Sequence, residues 1–226
     1  MAVAIFLRAQ KEPNNFKNVL SYIIEDDNLE KIVLVYPYYM EKKVKTNGIQ
    51  GTYSILGRGL RNSILLREGY NLTTIAPDDS RNNDWDNSYK NFVKQLNDDI
   101  KQSGKKINYK GMILKNQKNF LHAKFTLGYK KIGKDVKPVV LLLGSSNLTN
   151  KAYDVFDDYN YETDILLWDN IEYSFDSNVL KDGDLKTMLI ENDSYEDTMN
   201  YLNYFNSKVI KWYKSEEVEQ ISEDLK

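Results

Sequence analysis

Apolar positions along the chain fall into short runs with two different periods. VAIFLRA (3–9) and KIVLVYPYY (31–39) are compact apolar runs of strand length, the second closed by Pro37. Between them, NNFKNVLSYIIEDD (14–27) puts Phe16, Val19, Leu20 and Ile23 on one helical face. GTYSILGRGLRNSILLREG (51–69) reads as a helix interrupted by glycines, and TTIAP (73–77) as a short strand ending in an Asp-Asp turn. Asn83 or Asp84 caps a helix from about Trp85 to about Lys101. Three strand candidates follow: INYKGMILK (107–115), HAKFTLGYK (122–130) and PVVLLLGSS (138–146), with KKIGKDVK between the last two as a loop or hairpin. YETDILLWD (161–169) is a further strand, and EDTMNYLNYFNSKVIKWYKSEE (196–217) an amphipathic helix.

Helices and strands are interspersed, and several consecutive strands have no helix between them. The pattern predicts an α/β fold: a mixed β-sheet flanked by helices on both faces, one domain over 1–226. The chain is long enough for one sizeable core, and no internal repeat or low-complexity linker divides it. It has no cysteine, which excludes disulfides and thiolate metal sites. MAVAIFLRAQ lacks a basic leader and a long apolar region, so it reads as a first strand and not a signal peptide. No apolar run approaches the ~18 residues that span a bilayer. The expected setting is cytoplasmic, without a membrane partner, and the sequons at Asn71 and Asn147 are chance matches.

Charge changes the picture. The formal net charge is −2, but residues 101–151 carry 12 lysines against one acid, Asp135, and residues 152–226 carry 19 acids against 6 lysines. The basic block surrounds the only histidine, His122. A local positive field attracts a polyanion even on a slightly acidic protein. The competing reading is that these lysines pair with the acids of the last third.

Candidate chemistry concentrates in the same stretch. His122 and Lys124 stand two apart on a strand and so share a face. Gly144-Ser145-Ser146-Asn147 ends the run VVLLLG, where a glycine lets backbone and ligand approach. Glu162 opens the next strand, with Asp164 on the same face. Together these can surround one phosphate. Lys124 and Asn147 donate to non-bridging oxygens, His122 attacks phosphorus, and Glu162, or Asp164 in its place, accepts from the other ring nitrogen. The basic block has no His/Asp/Glu cluster at ligand spacing, so no metal or cofactor is expected. The pairs Asp26-Asp27, Asp78-Asp79 and Asp157-Asp158 read as turns or solvated faces. Arg58 and Arg61 either contact a nucleic-acid backbone or bridge to the acidic last third; Tyr36, Tyr38 and Tyr39 read as core or rim.

His122-Ala-Lys124 followed by Gly144-Ser145-Ser146-Asn147 resembles the phospholipase D superfamily, over about residues 120–165. Tyr129 stands where that pattern has an Asp, and the distance from Lys124 to Gly144 is longer than usual. Both departures look like the bacterial nuclease branch. The resemblance implies a metal-independent phosphodiesterase that cleaves DNA, with RNA left open, through a phosphohistidine. In that family two motif copies build one site, so a sequence with one histidine implies either a homodimer sharing its site, the favoured reading, or another group in place of the second histidine. Without a sequence-reading module, cleavage is non-specific or directed by a partner protein, in a restriction-type defence role. The alternatives are a phospholipase or phosphatidyl transferase, and a catalytically silent nucleic-acid-binding subunit.

Overall fold

Alternate residues of the central strands supply two separate apolar layers. Ile32, Leu34 and Tyr36 belong to one, with Val140, Leu142, Leu166 and Trp168; Val33 and Val35 belong to the other, with Leu141 and Leu167. A computed structural model describes residues 2–8, 14–37, 39, 43–46, 49–53, 55–78, 83–115, 124–146, 148, 162–181, 188–191, 195–214 and 218–220.

The strands are β1 (Ala2–Arg8), β2 (Lys31–Val35), β3 (Lys43–Thr46), β4 (Ile49–Tyr53), β5 (Tyr70–Pro77), β6 (Ile107–Leu114), β7 (Phe125–Ile132), β8 (Asp135–Gly144), β9 (Glu162–Trp168), β10 (Met188–Glu191) and β11 (Val218–Gln220). The helices are α1 (Asn15–Glu25), α2 (Ile55–Ile64), α3 (Asn83–Ser103) and α4 (Tyr195–Tyr213). Among the described residues one sheet has nine strands, in the order β10-β1-β9-β8-β7-β2-β5-β6-β11, and β3 and β4 form a separate hairpin.

The sheet is mixed for a reason visible in the connections. β2, β5 and β6 are parallel, with α2 before β5 and α3 before β6, because a parallel neighbour requires a crossover. The other ladders are antiparallel. Helices cover both faces. Phe16, Val19, Leu20 and Ile23 of α1 pack in the first layer with Leu60 of α2 and Phe92, Val93 and Leu96 of α3. Leu202 and Val209 of α4 pack in the second. Asn14 caps α1, its side chain accepting from the Lys17 N–H at 3.1 Å.

Several boundaries differ from the expectation. In the stretch 51–69, α2 follows β4 and runs through both glycines. β5 starts at Tyr70, earlier than its apolar run, because Asn71 is exposed on the sheet while its backbone stays in the ladder. β7 starts at Phe125, after Lys124. β8 reaches back to Asp135, so KKIGKDVK is a tight hairpin turning at Gly133, whose φ of +63° suits glycine. β3, β10 and β11 come from stretches without strand periodicity.

Candidate active site

Three neighbouring strands bring residues 124, 144 and 164 side by side. The Gly144 N–H donates to the Lys124 carbonyl at 3.2 Å, continuing the β7–β8 ladder by one step. On the other side Gly144 is in register with Asp164 of β9, and the Ser145 N–H donates to the Thr163 carbonyl at 2.9 Å. By alternation from Leu166 and Trp168, Glu162 and Asp164 face the α1–α3 side of the sheet.

Gly144 is required by what lies above it. A Cβ there would come within 2.7 Å of the Asp164 Cα and would run into Asp164 Oδ1 and the Thr163 carbonyl. The missing side chain lets the Asp164 carboxyl lean across β8 toward the following turn. There Ser146 meets both oxygens: its N–H donates to Oδ1 at 3.2 Å and its hydroxyl to Oδ2 at 2.6 Å. Ser145 serves the other carboxylate, its hydroxyl donating to Glu162 Oε2 at 2.5 Å while accepting from the Thr163 N–H at 2.9 Å. Two serines and two carboxylates are thus matched in order across the β8–β9 ladder.

These polar groups sit where water is scarce. Lys124 is 5% exposed, Glu162 8%, Asp164 2% and Ser146 1%. Burial pushes the Asp164 carboxyl up to about 7; the Ser146 bonds and the Lys124 ammonium oppose the rise, and the Glu162 charge adds to it. Burial lowers the Lys124 pKa, with Glu162 and then Asp164 holding it up. Beneath them Tyr36, at the end of β2, shares a 2.9 Å hydrogen bond with Thr126 of β7. Burial, and less so Asp164, raises the Tyr36 phenol. The result is a buried ammonium beside two carboxyl groups, one of them poised to exchange a proton near neutrality.

Of the four residues the sequence singles out, the structure places Lys124 and Glu162 together at this end of the sheet. His122 and Asn147 lie outside the described residues. Ser146 is the residue that sequence reasoning missed: Ser145-Ser146 faces Glu162 and Asp164, a pairing that a serine dyad and an alternating Glu-x-Asp hint at but that only register establishes.

The basic block does not gather around this site. Among the described lysines of the basic block, only Lys115 and Lys124 fall at this end. Lys101, Lys105 and Lys106 lie before the start of β6, and Lys130, Lys131, Lys134 and Lys137 around the β7–β8 turn, both at the opposite end, while Lys110 is midway along β6. A β-strand rises about 3.3 Å per residue, which separates Lys124 from Lys131 by roughly 23 Å. Arg61 pairs at 2.9 Å with Asp99 of α3. Tyr36 and Tyr39 are core at 1% exposure; Tyr38 and the Arg58 side chain lie outside the described residues. Among the described residues no group of three or more His, Cys, Asp or Glu side chains is placed to hold a metal, and no helix is long and apolar enough to cross a membrane.

The same architecture occurs in NucT from Helicobacter pylori, at a TM-score of 0.52 and 13% identity, over 93% of this chain and 97% of that one. Phosphatidylserine synthase from Haemophilus influenzae aligns at a TM-score of 0.48 and 15% identity, over 93% of this chain and 46% of that one. No family model matches the chain, and neither does any curated protein sequence. The chain has the phospholipase-D-like fold.

Proposed function

We propose that the protein is a phosphodiesterase that cleaves DNA by covalent catalysis at His122. The carrying observation is the convergence of Lys124, Glu162 and the Gly144-Ser145-Ser146 turn at one end of the sheet. His122 stands two residues before Lys124 and Asn147 one residue after Ser146. Lys124 and Gly144, from separate strands, are joined by a main-chain hydrogen bond, which supports reading the His-x-Lys and Gly-Ser-x-Asn motifs as parts of one site.

In this reading an imidazole nitrogen of His122 attacks phosphorus. A P–N bond forms as the P–O bond to the departing strand breaks. The partner subunit's His122 gives its proton to the departing oxygen. Water then attacks the phosphohistidine, losing a proton to that second imidazole as the P–N bond breaks. Lys124 and Asn147 donate to the non-bridging oxygens, and Lys124, being desolvated, acts more strongly than a surface lysine. Both Asp164 oxygens accept from Ser146, which commits that carboxyl to the turn, so the reading assigns orientation of the His122 ring to Glu162.

With one histidine in this sequence, the reading favours two chains per site over another group in place of the second imidazole. An apolar hollow of about 440 Å³, lined by Leu143, Asn200, Tyr204 and Phe205, opens beside the end of β8 on the α4 face, across the sheet from Glu162 and Asp164, and Tyr204 is 54% exposed there. It is a surface of the kind that a second copy covers.

The test is cleavage of supercoiled plasmid, single-stranded DNA and RNA in excess EDTA, with His122→Ala as control. DNA cleavage that persists in EDTA and vanishes in the variant supports the reading. Cleavage abolished by EDTA, or retained by His122→Ala, sinks it.

A further inference from the structure

The parallel strands change character along one face of the sheet. Under α4 their C-terminal halves are apolar: Val33 and Val35 of β2, Ile75 of β5, Met112 and Leu114 of β6. Their N-terminal halves on that same face carry Lys31, Asn71, Thr73, Asn108 and Lys110. Register aligns them into two polar rows, Lys31–Asn71–Asn108 and Thr73–Lys110. Asn71 and Asn108 are exposed, and Lys31 and Lys110 half-buried, so this end of the face opens to solvent where α4 no longer covers it.

They line a cavity. Its volume is about 230 Å³, and Tyr213 at the end of α4 completes its wall. None of the described lining residues is acidic, and two are lysines. Their polar groups are held in place. Asn108 Nδ2 donates to Asn71 Oδ1 at 2.7 Å, the Tyr213 hydroxyl bonds the Thr73 hydroxyl, and the Lys31 ammonium lies 4.7 Å from the Tyr129 ring centre and 4.8 Å from that of Tyr213. A second cavity of about 330 Å³ shares Asn71 and Asn108 and adds Lys105 and Lys106. Burial, and then the like charge of Lys110, lowers the Lys31 pKa. Two ammonium groups that repel across such a hollow are stabilised by an anion between them.

We infer that this cavity, on the opposite face and at the opposite end of the sheet from Lys124 and Asp164, is a second site that binds a phosphate group. Lys31 and Lys110 neutralise it, and the Asn108 amide and the Thr73 hydroxyl supply hydrogen bonds, Thr73 being oriented by the bond it accepts from Tyr213. The hollow is smaller than the ~300–1,000 Å³ typical of sites for larger ligands, so it takes one phosphate, with the adjoining cavity receiving what the phosphate carries. That phosphate arrives either on a small phosphorylated molecule or as one phosphodiester of a nucleic-acid strand. The site does not depend on the catalytic reading.

The test titrates the full chain with inorganic phosphate and follows the amide NMR signals of Asn71 and Asn108. Saturable shifts are expected. The apparent Kd should rise about tenfold or more in Lys31→Gln and in Lys110→Gln, as for loss of a charge-assisted contact, and stay unchanged in Lys124→Gln. Two folded single variants guard against one failing to fold. A mononucleotide and a dinucleotide phosphodiester, run the same way, separate the sources. Tighter binding of the monoester assigns a small molecule; tighter binding of the diester assigns a strand. No saturable shift with phosphate, or the same Kd in both lysine variants as in the unaltered chain, overturns the proposal.

Discussion

The Asp164 carboxyl occupies the space that a side chain at position 144 would need. Two of the three atoms nearest to a Cβ at that position belong to the main chain, the Thr163 carbonyl oxygen at 2.5 Å and the Asp164 Cα at 2.7 Å, so the neighbours cannot simply rotate away. Gly144→Ala is therefore expected to cost about 1–3 kcal/mol as an overpacking substitution and to abolish activity by displacing Asp164 and the Ser145-Ser146 turn. Adding Asp164→Ala should not rescue it, because the backbone contacts remain. Urea unfolding of the single and double variants checks both statements; full rescue would show that only the carboxyl was in the way.

Asp164 should also imprint itself on stability against pH. Its carboxyl is held up at about 7, against an ordinary value of 3.8. A raised carboxyl pKa favours the protonated folded state, so the folded chain binds more protons than the unfolded one between those values. Stability from this group is full below about pH 4 and is lost as pH rises toward 7. At about 1.4 kcal/mol per tenfold change in proton affinity, the loss amounts to a few kcal/mol. Asp164→Asn should flatten that decline. Unfolding midpoints of both proteins from pH 4 to 8 decide it, and parallel curves would place the Asp164 pKa near its ordinary value.

Lys124 supports the same carboxyl from the other side. Its ammonium lowers the Asp164 pKa while burial raises it. Lys124→Met should therefore raise the Asp164 pKa further and move upward the pH at which that stability is lost. It should also cut cleavage by about 10²–10³, as for a lost donor to developing charge. Measuring both on the same preparation separates misfolding from lost chemistry: a folded variant with full activity would remove Lys124 from the site.

How far the sequence revealed this arrangement depends on the range of each interaction. Helix α1 was legible because Phe16, Val19, Leu20 and Ile23 repeat at helical spacing and all reach the core. The strands of the sheet's centre were legible as apolar runs. β10 and β11 were not, since short edge strands are held by pairing with β1 and β6 and need no periodicity of their own. At the site, Lys124 and Glu162 could be named from residue type and spacing. The Ser146–Asp164 pair could not, because it depends on the register that sets Gly144 against Asp164. The basic block misled for a related reason. Strand β7 carries the chain away from Lys124, so lysines close in sequence end at the far end of the sheet.

The shared-site reading makes a quantitative demand on mixed dimers. If each site needs His122 from both subunits, a dimer of one wild-type and one His122→Ala chain has no complete site. Chains that associate at random then form active pairs in proportion to the square of the wild-type fraction. An equal mixture should show about half the activity per wild-type chain that the pure protein shows, by the symmetry of a two-fold assembly. The measurement is cleavage across a series of co-folded mixtures at constant total protein. A quadratic fall supports one site built by two chains, and strict proportionality to the wild-type fraction would mean that each chain works alone. Tyr204→Lys, at the 54%-exposed rim of the apolar hollow, gives an independent check. It should weaken association and activity together, while a loss of neither would put the interface elsewhere.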